Sequence, residues 1–377
     1  TPPPPYDALV IGAGLVGSAA ALMLTQQGLK VAVVEPQAFT AYTPTDTYDL
    51  RISAIAPHAQ RLLTRLGVWQ RVPATRVLPY THMQVWDAHG GALQFDISHT
   101  PALPALGYLV ENRLLLDALQ QQLSAQGVTI IHAAVTQLNT ATGTVQLDNG
   151  QNHSAELLLA ADGGASPTRQ LAGIMAAQRS YAQRGVVANI RTTQPHGHTA
   201  RQWFDNDGSV LAFLPLANGE ISIVWSCDDA LAAQRLALSE ADFCAALTAA
   251  SGACVGTVIH TSARAAFPLS RHLAESFVQG KLLLIGDAAH GVHPLAGQGV
   301  NLGYADVAAL PTQTTPQALA RYARARRAGT LPVLLLTDGL FQLAHTPSPL
   351  ARLAGWGMRQ VDGLAPLKRW LMSQAVG

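Results

Sequence analysis

Short apolar runs and one alanine-rich segment alternate at the start of the chain. Residues 6–11 are predicted to form a buried strand, residues 14–27 a helix, and residues 30–35 a second strand rich in valine. Strands that are apolar on both faces are typical of parallel sheets covered by helices. These three elements therefore predict one complete βαβ unit.

Similar patterns continue along the chain, but the middle stretch changes character. Helical periods occupy residues 58–66 and 112–125, and an alternating strand is predicted at residues 81–87. Buried apolar strands are predicted at residues 156–161 and 281–285, with a hairpin turn at 148–150. Between residues 180 and 267, the strands predicted at 186–191, 210–216 and 221–226 are separated by Gly and Asn turns. That stretch predicts a sheet of its own, and the chain from residue 299 onward is predicted to be mostly helical.

A glycine motif lies between the first strand and the first helix. Gly12, Gly14 and Gly17 form a G-x-G-x-x-G pattern, and Glu35 ends the next strand 18 residues after the last glycine. In such a unit the glycines permit a tight turn, close approach of a pyrophosphate and close helix packing, and the acid accepts hydrogen bonds from ribose hydroxyls. The pattern predicts dinucleotide binding rather than a purely structural turn, and an acid at position 35 favours FAD or NAD over NADP.

A second motif follows the strand predicted at residues 281–285. Gly286 and Asp287 begin the run G-D-A-A-H-G-V-H-P-L-A-G-Q-G-V-N-L-G, which opens a helix. The Asp287 carboxylate can accept hydrogen bonds from the ribitol hydroxyls of a flavin, and the helix start offers backbone N–H groups where a reduced flavin carries negative charge. The alternative is an ordinary strand, turn and helix with a glycine-rich cap.

This run resembles the second FAD fingerprint of group A flavoprotein monooxygenases, and specifically that of the ubiquinone-biosynthesis hydroxylase family related to 2-octaprenylphenol hydroxylases. Other segments resemble the same family: D-L-R-I-S-A-I at 49–55, E-N-R at 111–113, A-D-G-G-A-S at 161–166, F-L-P-L at 213–216 and L-K-R-W-L-M-S-Q-A-V-G at 367–377. The likeness covers nearly the whole chain. After Asp306 the basic helix follows sooner than in the family pattern, which predicts a shortened helix or an absent stretch.

The resemblance implies a set of FAD-binding residues. The ADP half would be held by Gly12, Gly14, Gly17 and Glu35, with Val135 near the adenine and with Arg51 and Arg113 reaching the phosphate or ribityl groups. Asp287 would bind the ribitol, and the isoalloxazine would be lined by Pro294, Gly297, Gln298, Gly299 and Asn301. Asp162 and Gly163 are associated with both FAD and the nicotinamide donor, and Asp162 has the alternative role of capping the turn at residues 166–169.

Together, the pattern and the resemblance predict an α/β fold with a Rossmann-type FAD-binding domain, a second mixed-sheet substrate domain and a helical C-terminus. The predicted FAD-binding domain is discontinuous and comprises residues 6–80, 107–179 and 268–310. The substrate domain, with an antiparallel sheet, comprises residues 81–106 and 180–267, and the helical region comprises residues 311–377.

The implied activity is FAD-dependent hydroxylation of the aromatic ring of a polyprenylated phenol in ubiquinone biosynthesis. In that chemistry a reduced flavin and O2 give a C4a-hydroperoxide that attacks the ring, and NAD(P)H is the expected transient co-substrate. Because the cofactor carries the difficult step, no metal site is expected and no catalytic residue is assigned. The alternatives are another flavin oxidoreductase of the same fold, such as a polyprenyl reductase or a halogenase, and a non-catalytic flavin-binding subunit of a biosynthetic complex.

Several side chains have both a functional and a structural interpretation. His290 and His293 lie near the expected flavin and could relay a proton, but histidines in such loops are often structural. Phe213 and Pro215 are candidates for the substrate pocket, with core packing as the alternative. Core positions are favoured for Trp86, Trp203 and Trp225.

Charge and composition add expectations about partners and location. The 377-residue chain has a net charge of +1, which gives no reason to expect nucleic acid as a partner. From residue 320 to the end, however, eight basic residues stand against two acidic ones, and residues 331–343 are apolar at helical spacing. This region predicts a peripheral contact with anionic lipid, against the alternative of a solvated basic face over core leucines. A homo-oligomer or a biosynthetic complex is a further expected partner state.

Three cysteines at uneven spacing favour a reducing, cytosolic compartment over a disulfide framework. The longest apolar runs are far shorter than the roughly 20 residues that span a bilayer, so no transmembrane helix is predicted. Residues 1–5 lack the features of a secretory signal and are excluded from the predicted fold.

Overall fold

A computed structural model describes residues 6–87, 91–99, 102–205, 207–291 and 298–345 of the chain. The strands within these ranges are β1 (Tyr6–Ile11), β2 (Val31–Val34), β3 (Ile52–Ile55), β4 (Leu78–Tyr80), β5 (His82–Trp86), β6 (Ala92–Asp96), β7 (Gly107–Glu111), β8 (Thr129–Ile131), β9 (Val135–Asn139), β10 (Thr144–Leu147), β11 (Asn152–Ala160), β12 (Ala176–Thr192), β13 (Thr199–Phe204), β14 (Val210–Pro215), β15 (Ile221–Asp228), β16 (Val258–Thr261), β17 (Ala265–Ala274), β18 (Val278–Gln279), β19 (Leu282–Leu284) and β20 (His290–Gly291). The α-helices are α1 (Leu15–Gln26), α2 (Pro57–Arg65), α3 (Asn112–Ala125), α4 (Pro167–Leu171), α5 (Asp229–Ala237), α6 (Glu240–Ala250), α7 (Gln298–Ala308) and α8 (Pro316–His345).

The first sheet contains the predicted βαβ unit. Its spatial order is β18, β19, β11, β1, β2 and β8, and β1 pairs in parallel with both β2 and β11. Ala8, Leu9 and Val10 are fully buried, because helices cover one face and the β9–β10 hairpin with its neighbours covers the other. The carboxyl ends of β1, β2, β11 and β19 therefore lie along one edge, which is where ligands bind in open parallel sheets.

The second sheet is mainly antiparallel. Its spatial order is β20, β17, β12, β15, β14, β13, β5 and β6, with β16 also pairing with β12. Helices α5 and α6 pack against one face, where Val186, Ile223 and Phe243 belong to a separate buried cluster. The opposite face of this sheet is directed toward the segment that precedes β3.

A third, smaller sheet connects the two. It consists of β3, β7 and β4 in antiparallel order. Asn189 on β12 crosses from the second sheet to this region, since its side-chain amide donates to the Tyr48 carbonyl at 3.0 Å. The backbone that precedes β3 is thus hydrogen-bonded directly to the second sheet.

The structure confirms the α/β class and most of the predicted elements. Each strand predicted at 6–11, 30–35, 81–87, 156–161, 186–191, 210–216, 221–226 and 281–285 overlaps an observed strand, and the three helices predicted before residue 130 are present. The mostly helical character after residue 299 is also confirmed for the described residues, where α7 ends at Ala308 and α8 begins at Pro316. The domain boundaries remain a prediction.

Candidate active site

The first glycine motif forms a tight junction between β1 and α1. Gly12 has φ +100°, and a Cβ there would lie 2.5 Å from the Ala161 carbonyl oxygen. A Cβ on Gly17 would likewise collide with the Gly12 carbonyl. A Cβ on Gly14, by contrast, would meet nothing within 4 Å, and no side chain caps the start of α1 there. Gly14 is exposed, so the uncapped start of α1 is accessible, which suits a phosphate.

Glu35 lies beside this helix start. Its Oε2 accepts a hydrogen bond from the Ala13 N–H at 2.8 Å, and its Oε1 accepts from the Gln37 N–H at 3.0 Å. The Glu35 N–H donates to the Ile131 carbonyl at the end of β8, and Val135 begins β9 four residues later. The glycine turn and Glu35 therefore meet at the ends of β1 and β2, and the role of Val135 near the adenine stays a prediction.

The second motif meets the first through Val16. A Cβ on Gly286 would lie 3.1 Å from Val16 Cγ1, and Gly303 of α7 is packed even more tightly against the same side chain. Gly286 has φ +57°, in the left-handed region that favours glycine. Two glycine-rich turns almost 270 residues apart in sequence therefore share one side-chain contact.

Asp287 occupies a recess next to this junction. Its side chain is exposed, but the protein around it desolvates the carboxyl and raises its pKa above the ordinary value. His290 and His272 act in the opposite direction, and Asp306 adds to the increase. Asp287 is thus an accessible carboxyl at the end of β19, as the sequence predicted.

The segment that begins with Asp162 and Gly163 after β11, here called the D-G segment, adjoins the Asp287 turn. Arg169 donates to the Ala288 carbonyl at 2.8 Å and to the Gly164 carbonyl at 3.0 Å, and so links the two segments. His272 Nε2 lies 2.5 Å from the Asp287 carbonyl oxygen. Neither Arg169 nor His272 was predicted, because nothing local in the sequence indicates which distant carbonyls they contact.

Asp162 itself has the capping geometry. Its Oδ1 accepts from the Ser166 hydroxyl at 2.5 Å, and its Oδ2 accepts from the Thr168 N–H at 2.9 Å. Both oxygens therefore stabilise the start of α4. Gly163, with φ +86°, forms the turn between them, and a role for this pair toward a nicotinamide stays a prediction.

Comparison with known proteins identifies the family. The sequence pattern described as "FAD binding domain" matches residues 5–318. The chain belongs to this FAD-binding family. It is 37% identical to 3-demethoxyubiquinol 3-hydroxylase of Escherichia coli strain K12 over 81% of this chain and 78% of the relative. It is 34% identical to ubiquinone hydroxylase UbiL of Rhodospirillum rubrum over 98% of this chain and 89% of the relative, and 31% identical to the human mitochondrial ubiquinone biosynthesis monooxygenase COQ6 over 98% and 92%.

Solved structures agree on the fold. The p-nitrophenol 4-monooxygenase PnpA of Pseudomonas putida DLL-E4 superposes with a TM-score of 0.77 at 18% identity, covering 99% of this chain and 98% of the other. HpxO of Klebsiella pneumoniae, solved with FAD and uric acid, gives 0.73 at 20% identity, covering 97% and 96%. The predicted FAD monooxygenase fold is confirmed, and FAD is the cofactor of this family.

The segment that carries Arg51 is held by a buried ion pair. Glu111 is fully buried, accepts from the Asp49 N–H at 2.8 Å and lies 2.7 Å from Arg76 Nη2. The Arg51 carbonyl in turn accepts from the Asn112 N–H at 3.0 Å. An acid at the end of the apolar run 107–111 was the available sequence signal, since a buried carboxylate needs a partner. Nothing in the local sequence indicated that Arg76 would be the partner of this carboxylate.

The two predicted arginines, Arg51 and Arg113, lie next to the residues that contact Glu111. Arg51 is exposed, and the Arg113 side chain is 59% exposed. The Arg113 guanidinium lies over the Tyr42 ring, 4.3 Å from its centroid, and 3.8 Å from Asp49 Oδ2. Both side chains can reach solvent-facing groups of a ligand, while their backbones are fixed by Glu111 and its contacts.

Asn301, which the resemblance places along the isoalloxazine, bonds to the backbone at the end of β3, and its role toward the flavin stays a prediction. It is 3% exposed, its Oδ1 accepts from the Ala56 N–H at 2.9 Å, and its Nδ2 donates to the Ala54 carbonyl at 2.8 Å. The amide therefore joins α7 to the end of β3. Gly299 lies at the start of α7, where the side chain of Gln298 is not described. Pro294, Gly297 and His293 lie outside the described residues.

The pocket candidates on β14 lie on the helix-covered face of the second sheet. Phe213 is fully buried in the cluster with Trp225 and Phe243, and the period of two places Pro215 on the same face. Core packing is thus the observed role of Phe213. Trp203 stacks on Trp86 with ring centroids 5.1 Å apart and shares that face.

The opposite face carries Asn189 and therefore faces the Tyr48–Asp49 backbone. Asn189 is paired with Ser222, and Ser222 with Leu214, so Leu214 shares this face. Ala212 and Val224 are cross-strand partners on the same face, and like Leu214 they are only partly buried. An apolar, partly accessible wall thus lies on the side of the sheet that faces the FAD-binding elements.

Proposed function

We propose that this protein is an FAD-dependent monooxygenase that hydroxylates the aromatic ring of a polyprenylated phenol in ubiquinone biosynthesis, with O2 and a reduced nicotinamide as co-substrates. The observation that carries the proposal is the meeting of two glycine-rich turns at Val16, next to an exposed carboxyl, in a chain of the FAD-binding family. The names of the ubiquinone-biosynthesis relatives support the substrate class.

The described residues fit FAD. The uncapped start of α1 at Gly14 offers backbone N–H groups to a pyrophosphate, and Glu35 lies where a ribose would follow. Asp287 presents an accessible carboxyl that can accept from ribitol hydroxyls. When bound, FAD would supply the electron transfer to O2 that ring hydroxylation requires.

The contribution of the chain itself is to position the ring and to exclude water. The partly buried wall formed by Ala212, Leu214 and Val224 is apolar, which suits an aromatic ring with a hydrocarbon tail. Asn189 fixes the distance between this wall and the segment before β3 through its bond to the Tyr48 carbonyl. Apolar side chains beside a reactive cofactor state help to exclude water from it.

The test is reconstitution with isotopic oxygen. Purified protein is loaded with FAD and supplied with NADH or NADPH, a short-chain prenylphenol and ¹⁸O2, and the product is analysed by mass spectrometry. We expect one ¹⁸O atom in the ring product and donor consumption that depends on the phenol. A reduced prenyl chain without ¹⁸O would indicate a reductase, and FAD binding without donor or O2 consumption would indicate a non-catalytic subunit; either result contradicts the proposal.

Peripheral membrane contact is the proposed route to a lipid-soluble substrate. On α8, Arg321 and Arg324 are exposed, and Leu331, about two to three turns further along, is 45% exposed. Basic and apolar side chains on one helix are typical of interfacial contact with anionic lipid. In the described part of the chain, no helix is long and apolar enough to cross a bilayer. Cytosolic location and assembly into a homo-oligomer or biosynthetic complex stay predictions.

A further inference from the structure

A buried three-residue network lies directly behind the Asp287 turn. Asp306 on α7 is 1% exposed, and its Oδ2 accepts from the Gly286 N–H at 2.9 Å. The same oxygen is 2.7 Å from His290 Nε2, and Oδ1 accepts from Arg326 Nε at 2.6 Å. One carboxylate therefore joins the turn after β19, the strand β20 and the helix α8.

The charges in this network are compensated. Burial alone would raise the pKa of Asp306, but His290 and Arg326 outweigh that effect and hold it below the ordinary value. Asp306 is thus ionised, and charge-assisted hydrogen bonds such as these are shorter and stronger than neutral ones. Removing the Asp306 carboxylate would leave the Gly286 N–H and the Arg326 Nε–H without their acceptor, which is costly.

Packing restricts the same turn from a second direction. A Cβ on Gly303, one turn before Asp306 on α7, would lie 3.4 Å from the Gly286 Cα and would collide with Val16. Gly286 is already in the left-handed region with φ +57°. The close approach of α7 therefore brings the Asp306 carboxylate within reach of the Gly286 N–H.

We propose that Asp306 is a positioning residue for FAD: through the Gly286 N–H it fixes the direction of the Asp287 carboxyl, and His290 and Arg326 hold Asp306 in place. This inference rests on the proposed function, because it assigns Asp287 to the cofactor. Asp306 itself is buried and would not contact FAD. Its effect on FAD binding must therefore pass through the turn.

This dependence can be measured by a double-mutant cycle. Asp306→Asn, Asp287→Asn and the double variant are titrated with FAD, and the dissociation constants are compared with wild type. Asp306→Asn should weaken FAD binding at least tenfold, and should add little in the Asp287→Asn background, because both changes act through one contact. Additive losses, or unchanged affinity in Asp306→Asn, would overturn the proposal.

Hydrogen exchange in the FAD-free protein gives a second measurement. The Gly286 amide should exchange faster in Asp306→Asn and, to a smaller extent, in Arg326→Lys, which keeps the charge but loses the guanidinium geometry. Leu247→Ala is the matched control, since it removes a fully buried side chain from the core of the second sheet. It should lower thermal stability without changing exchange at Gly286 or FAD affinity.

The outcomes separate the two proposals. If Leu247→Ala shifts FAD affinity as much as Asp306→Asn does, the effect is general destabilisation and the positioning role is wrong. If Asp306→Asn does not fold, Arg326→Lys decides by its Gly286 exchange rate, with an unchanged rate contradicting the network. Wild-type protein that takes up no FAD would contradict the proposed function instead, whatever the exchange rates show.

Discussion

Asp287 is held where its ionised form is disfavoured. Desolvation raises its pKa, although His290 and His272 partly oppose the shift. Groups with perturbed pKa values in accessible recesses are more common at functional sites than elsewhere. A carboxyl that weakens the fold when it ionises is therefore better explained by ligand binding than by a structural role.

Asp287→Asn should stabilise the FAD-free protein and weaken FAD binding. Because the pKa of Asp287 is raised on folding, the native state keeps a proton that the unfolded state loses above about pH 4. The contribution of this group to stability therefore falls as pH rises through that window, and the amide removes the loss. Thermal unfolding from pH 4 to pH 8 should show the variant more stable at neutral pH, with the difference disappearing toward pH 4. Equal melting temperatures at pH 7 would contradict this reading.

Residue identity was easier to predict than residue orientation. The resemblance indicated Asn301 as a site residue, and the structure shows that its amide bonds to the backbone of Ala54 and of Ala56, which is 245 residues away. Asp162 was identified with its capping alternative, and the cap is what its oxygens make. Which of two hydrogen-bonding roles a side chain adopts depends on backbone groups brought near by folding, and these are not visible in a local pattern.

Successive side chains of β14 point to opposite faces of the second sheet, and only one of these faces can contact a substrate at the FAD-binding elements. Phe213 is fully buried against α5 and α6, whereas Leu214 is partly buried on the Asn189 face. Phe213→Ala should therefore cost about 3 to 5 kcal/mol of unfolding free energy, as is usual for buried aromatic residues. Leu214→Ala should leave the melting temperature nearly unchanged but raise the KM for the prenylphenol and the fraction of NAD(P)H consumed without product.

The two variants serve as controls for each other. Thermal unfolding and the ratio of product to donor consumed are measured on both. A selective loss of coupling in Phe213→Ala, with normal coupling in Leu214→Ala, would show that the substrate lies on the helix-covered face.

Long apolar runs predicted elements well, and short non-local strands were missed. The run at residues 6–11 matches β1, because a buried parallel strand is apolar along its whole length. The three-residue β4 and the four-residue β3 have no comparable local signal, and both depend on pairing with β7. The small sheet of β3, β7 and β4, which holds the Arg51 segment, was therefore absent from the sequence prediction, although the resemblance had identified Arg51.

At the scale of the molecule, parallel topology explains why the motifs meet. The glycine turn, Glu35, the D-G segment and the Asp287 turn follow β1, β2, β11 and β19, whose carboxyl ends lie at one edge. Strand order is not encoded in any one motif, so the sequence alone could place the motifs in one site only by resemblance to a family. The contacts at Val16 and Arg169 supply the physical link.

The basic residues of α8 are Arg321, Arg324, Arg326 and Arg327, and they differ in whether they bond to the rest of the fold. Arg326 is bound to Asp306, and Arg327 donates to the Ala274 carbonyl at 2.9 Å. Arg321 and Arg324 are exposed. The predicted cluster is therefore partly structural, and charge reversal at Arg326 or Arg327 would disturb the fold as well as any lipid contact.

Arg321→Glu with Arg324→Glu should weaken binding to anionic vesicles at least tenfold, since each basic residue near such a surface contributes roughly 1 kcal/mol. The matched control is Arg61→Glu with Arg65→Glu, which reverses two exposed arginines on α2 and the same total charge. Flotation with phosphatidylserine-containing and neutral liposomes measures both pairs, and the wild-type binding should fall as salt shortens the Debye length. If the control pair weakens binding equally, attraction is a property of net charge and α8 is not the contact surface. If neither pair changes it, the solvated-face alternative for the basic region is correct, and the substrate must reach the apolar wall by another route.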